Sequence, residues 1–196
     1  MAIGSLDKAG RIEQLRTHAR CQVWAGYRSD VEVRADVYDA ALAEERDPDR
    51  AAALTDELIA SALRDLVVAA SAWPSPTSFE RLQAALADLR VHGVVVLEAV
   101  DDHWAASETL DTLAAEGTSP LGIAYFTVPD VWHAVEHRML EINVWHGDSA
   151  NVASGDSLLD LVLETLAGHG IPAAFDEGRI EATLAWQRRL GERDED

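Results

Sequence analysis

His133-Ala134-Val135-Glu136-His137 has the residue types and the spacing of a hydrolytic zinc centre. It reads H-x-x-E-H, the inverted form of the zinc-protease helix motif. Two imidazoles four residues apart project from one side of a helix and can share a cation, and the glutamate between them can act as base on a metal-bound water. The motif needs a third protein ligand from a distant helix. Glu164 is the downstream acid that falls in a clear helix interior. The plainer reading of His133, Glu136 and His137 is a set of boundary residues on a short connecting helix.

A second group is defined by position. Asp101-Asp102-His103 follows one apolar run, and His146-Gly147-Asp148 follows another. In open sheets of parallel strands, ligands sit beyond the carboxyl ends of the strands. If these two runs are parallel neighbours, Asp101, Asp102, His103, His146 and Asp148 meet there. They would hold a divalent cation or serve as general acid and base. The competing reading makes Asp102 the cap of the next helix and Gly147-Asp148 a turn. A Gly-rich phosphate loop, a G-x-S-x-G elbow and a Cys/His metal cluster are all absent from the sequence.

The elements that must carry these residues follow from periodicity. Four helices come first. One begins at Ser5, carries Ile12, Leu15, Ala19 and Val23, and stops near Gly26. Ser29 with Glu32 forms a capping box for the second, and Asp47-Pro48 starts the third. The fourth starts within Ser75–Ser78, presents Phe79, Leu82, Leu86 and Leu89, and ends at Gly93. From there the period changes. Val94–Val100 is a continuous apolar run, Met139–Trp145 alternates, and Leu121–Val128 and Ile171–Phe175 are further strands. Helices are expected at 104–115, 129–137 and 155–168. Asp176-Glu177-Gly178 is a hairpin turn into an alternating run from Ile180 to Gln187.

The expected class is therefore α+β: N-terminal helices, then a β-α-β-α-β-α-β-β mixed sheet. A helix in each crossover before the hairpin suits parallel pairing, and the hairpin is antiparallel. The divisions expected are a helical region 1–74, a sheet domain 75–190 and a charged tail 191–196, packed as one compact unit. Trp73–Ser78 is the seam.

Composition narrows the function classes. With 35 acidic against 16 basic residues the chain carries a formal −19. Such a field repels nucleic-acid phosphates and admits a basic protein partner. Residues 1–30 hold five basic and three acidic groups, so the remainder carries −21. The first helix is expected to dock against the acidic body as an internal counter-charge. Cys21 is the single cysteine, which excludes an intramolecular disulfide, and its helical setting makes it a small buried apolar residue. Residues 1–10 show no leader pattern, and no apolar run approaches membrane-spanning length, so a cytoplasmic location without a membrane role is expected. Arginine and alanine usage fits a GC-rich bacterial genome. Of the six tryptophans, most should be core or boundary anchors and one or two exposed ones would mark a partner surface.

A longer pattern runs through Trp24-Ala25-Gly26-Tyr27, Ala72-Trp73-Pro74 with Thr77, Leu82, Leu86 and Leu89, and Gly93-Val94-Val95-Val96-Leu97. Tyr125-Phe126 with Asp130, Leu140 through Gly147, and Leu184-Ala185-Trp186 complete it. On these residues the chain resembles an uncharacterised bacterial family known only as a domain of unknown function. The resemblance covers most of the chain and rests on apolar and turn positions, which specify a fold. It implies no known activity. The family tends to show a His-Gly-Gln step after Tyr125-Phe126, where this chain has Thr127-Val128-Pro129, and it lacks the two histidines of the H-x-x-E-H match.

Two functional expectations stand side by side. The first is a non-enzymatic binding protein with an acidic face for a basic protein partner, without nucleic acid, membrane or cofactor. The alternative is a small metal-dependent enzyme using the acids and histidines at the strand ends, with a divalent metal.

Overall fold

A computed structural model describes residues 7–189 and 191. The expected helix start at Ser5 and most of the charged tail lie outside the described residues. The chain divides into two compact units, and the division falls between Trp73 and Pro74. The helical unit also takes in Arg188, Arg189 and Gly191, so the sheet unit ends at Gln187.

The helical unit consists of α1 (Lys8–Ala25), α2 (Asp30–Glu45) and α3 (Pro48–Ala70). Each start is written into a polar side chain that satisfies an otherwise orphaned helix N–H. Asp7 accepts from the Gly10 amide at 2.8 Å, Ser29 and Glu32 form a reciprocal capping box, and Asp47 accepts from Arg50 ahead of Pro48. Leu15, Ala19, Val23, Val33, Val37, Leu58, Ala62 and Leu66 form the core. Full burial of the leucine and valine side chains among them contributes about 1.5–3 kcal/mol each. The positive charge of α1 is matched inside this unit: Lys8 reaches Glu45 at 3.0 Å and Arg11 reaches Glu44 at 2.8 Å, both on α2. Cys21 is buried. Arg188 stacks its guanidinium over Tyr27 at 4.5 Å, and Arg189 donates to the Ala70 carbonyl at 3.2 Å.

The sheet unit holds α4 (Ser78–Val91), β1 (Val94–Val100), α5 (Trp104–Ala115), β2 (Gly122–Thr127), α6 (Val128–His137), β3 (Met139–His146), α7 (Ser157–Gly168), β4 (Ala173–Asp176) and β5 (Arg179–Thr183). The strands lie in the order β1-β2-β3-β5-β4. Alternation assigns two faces. Leu140, Ile142 and Val144 are buried on one face, whereas Glu141, Asn143 and Trp145 are half-buried on the other. Glu98 bonds Gln83 and Arg90 of α4, while its neighbour Leu97 packs with Ala106 and Leu110 of α5. So α4 and α5 cover opposite faces. α7 packs on α4, and its Leu158 lies against Gly122. The layers are α4 and α7, the mixed sheet, and α5 with α6.

Pairing departs from expectation at one crossover. β1 and β2 are parallel, but β2 and β3 are antiparallel, as are β3–β5 and β4–β5. The reason is length. Between β1 and β2 the chain has α5 and a further segment through Leu121 in which to travel back along the sheet. Between β2 and β3 there is no room. Thr127 closes β2 and caps α6, and Arg138, in a left-handed conformation at φ 60°, ends α6 one residue before β3. A ten-residue helix is about 15 Å long, and here both its ends stay at the same end of the sheet. A parallel return needs a crossover of a dozen or more residues.

Candidate functional site

The antiparallel β3 decides where the sequence candidates go. Val94, Gly122 and His146 are in register across β1, β2 and β3. His146 therefore sits at the amino end of β1, and Asp101 follows the carboxyl end. Six residues of strand separate the two, about 20 Å at about 3.3 Å per residue. Asp101, Asp102 and His103 do not meet His146 and Asp148. The strand-end centre expected from parallel neighbours is corrected on this point, because metal–ligand bonds are only about 2 Å long.

Each half of that set has its own surroundings. Asp102 Oδ1 accepts the Trp104 amide at 2.8 Å at the start of α5, and His103 lies against the Trp104 ring at 4.7 Å between centroids. At the other end, His146 Nε2 faces Asp156 Oδ2 at 3.2 Å, and the same oxygen accepts the Ala153 amide at 2.6 Å. The Ala153 hydrogen bond, seconded by His146, holds the Asp156 carboxyl below the usual carboxylate range. Asp148 Oδ1 accepts the Ala150 amide at 3.1 Å in the turn that follows β3. Gly147 is required there, since a Cβ would stand 2.3 Å from the Pro120 carbonyl oxygen.

The H-x-x-E-H helix forms, and His133 and His137 meet edge to face at 4.7 Å between centroids. Glu136 and His137 are exposed. Glu164 is exposed on α7, which packs on α4 and β4, whereas α6 packs on β3. The acid that approaches His133 is Glu141 of β3, with Oε1 3.9 Å from Nδ1. Its other oxygen is held by Arg179 of β5 at 3.0 Å. Sequence reasoning did not name Glu141 as a site residue. The signal it lacked was the pairing of β3 with β5, which sets Arg179 and Glu181 beside it. Among the described residues, no three His, Cys, Asp or Glu side chains gather in a metal-holding arrangement.

A concavity forms at the carboxyl end of β1. An open groove of about 490 Å³ is lined by Glu98, Asp101, Asp102, Trp104 and Glu108 together with Ala99, Val100 and Ala105. Ala99 has φ 50°, and the β1–β2 register shifts between Leu97 and Val100. That bulge turns the chain outward into Asp101-Asp102. Trp104 is 62% exposed, in contrast to the buried Trp186 and the half-buried Trp24, Trp73, Trp132 and Trp145. Glu98 is bonded to Gln83 at 2.6 Å and Arg90 at 2.8 Å. Glu108 is exposed one turn along α5 from Trp104.

A family model described as a domain of unknown function (DUF6891) matches residues 8–190. The chain belongs to this family. The match spans both the helical and the sheet unit, so a DUF6891 domain comprises the two together. No curated protein matches the chain. No solved structure matches it. Among the described residues of this DUF6891 member, no helix is long and apolar enough to cross a membrane.

Proposed function

We propose that this protein is a cytoplasmic, non-enzymatic binding protein that takes a basic protein partner in the acidic groove at the carboxyl end of β1. The carrying observation is the exposed Trp104 set among Asp101, Asp102 and Glu108 in a groove of about 490 Å³. An indole face attracts lysine and arginine by about 0.5–1 kcal/mol at an exposed site, and surrounding carboxylates add to the attraction at low salt. The carboxylates line the groove without gathering on one point, which suits a chain of cationic side chains better than a single ion.

The wider field agrees. Residues 74–187 hold eighteen acidic side chains against four arginines, a formal −14. A potential of this size speeds encounter with a basic surface and repels phosphates.

The test is titration of a fluorescent oligolysine peptide and of its glutamate counterpart. Oligolysine should bind with an affinity that falls as salt rises, and the glutamate peptide should not bind. Trp104→Ala and Glu108→Lys should each weaken oligolysine binding about fivefold or more while leaving the melting temperature within a degree or two. Salt-insensitive binding, or binding unchanged in both variants, would sink the reading.

A further inference from the structure

We infer that the basic partner is engaged as an extended segment that adds a strand to the free edge of β1, with its cationic side chains entering the Trp104 groove. The inference rests on the groove reading and specifies how the partner is held. Among the described residues, β1 is the outer strand of the sheet, paired with β2 on one side only. An outer strand presents a row of backbone N–H and C=O groups to any chain that can pair with it.

Such edges are ordinarily blunted by charge, proline, a bulge or shortness. On β1 the devices are confined to one end. Glu98 and the bulge at Ala99 guard the carboxyl end, but Val94-Val95-Val96-Leu97 is four apolar residues in regular register with Gly122–Tyr125. Val95, Val96 and Leu97 are half-buried although they belong to the sheet interior by composition. An unguarded edge of about 13 Å thus runs directly into the acidic groove.

Charge decides the occupant. A second copy pairing at this edge would bring two −14 units together. Like charges disfavour that association. A lysine- or arginine-bearing segment reverses the sign of the same term. Strand addition supplies affinity through main-chain hydrogen bonds, which are blind to sequence, and leaves selectivity to the side chains in adjoining pockets. Here the adjoining pocket is the acidic groove. The partner class is therefore an extended basic peptide of about six to eight residues with alternating apolar and cationic positions.

The experiment uses the full chain and an octapeptide alternating valine and lysine. Two derivatives carry N-methyl groups on the odd or on the even backbone amides. In an added strand only one alternate set of amides faces β1. Methylating that set should weaken binding at least tenfold, methylating the other should change it less than threefold, and hydrogen exchange should slow along Val94–Leu97. If both methylated peptides bind as the parent does, and Glu108→Lys still weakens them, strand addition is overturned and the groove reading stands. If the parent peptide fails to bind at low salt, both fall. A free chain that sediments as a dimer with Val94–Leu97 already protected would overturn the inference in favour of pairing between copies.

Discussion

Val94 and His146 stand at the same end of the sheet, each in register with Gly122 between them. That relationship separates the two halves of the strand-end constellation and leaves β1 with a groove of its own. It depends on the tight turn from β2 into α6 and back into β3, and on the close packing beneath the β3 end.

Gly147→Ala should destabilise the sheet unit by about 1–3 kcal/mol, because the added methyl would stand 2.3 Å from the Pro120 carbonyl oxygen and backbone must move. Gly168→Ala is the control. Its Cβ would meet nothing within 4 Å at the end of α7, so it should be neutral or stabilising by up to about 1 kcal/mol. Urea unfolding of both variants checks the contrast, and equal effects would contradict it.

Thr127 closes the capping box that turns β2 directly into α6: its hydroxyl donates to Asp130 Oδ2 at 2.7 Å and accepts from the Asp130 amide. Thr127→Ala should cost about 0.5–2 kcal/mol, and Thr127→Ser should recover most of it. A loss that serine does not restore would assign the effect to the lost methyl.

Asp156 gives a pH signature. Its carboxyl is held below the ordinary range by the Ala153 amide and by His146. A carboxyl depressed in the folded state contributes stability that is present above its unfolded pKa of about 3.9 and is lost as pH falls through the folded value. The stability gap between the parent and Asp156→Asn should therefore narrow as pH is lowered from about 5 towards 3. A gap constant over that range would show that the ionised carboxylate contributes nothing.

Tyr125 gives the opposite, alkaline signature. Burial first, and the Asp130 charge second, push its phenol up to about 12. The unfolded chain loses this proton near pH 10 while the folded chain keeps it, so stability falls as pH rises from about 10 to 12. Tyr125→Phe should flatten that decline in thermal melts. A decline of the same steepness in the variant would place its origin elsewhere.

Much of the architecture was legible in order along the chain. Ser29 with Glu32, Asp47-Pro48 and Thr77 mark helix starts because each satisfies N–H groups within three residues. The change of period at Gly93 marks where helices give way to strands, and the bounds of β1 and α5 agree with those expected. These are local effects, and local sequence carries them. Asp102 in its turn at the start of α5 is local in the same way.

What the sequence could not carry is which strand lies beside which, and in which direction. A helix between two strands reads alike whether the chain returns along the sheet or doubles back, and only the fit of α6 between Thr127 and Met139 distinguishes them. From that fit follows the distance between Asp101 and His146, and from the strand order follow the meeting of Glu141 with Arg179 and the outer position of β1. The acidity itself is a property of composition and was readable at once. That it surrounds an exposed Trp104 at the end of the outer strand was decided by tertiary structure, because long-range pairing sets which charges become neighbours.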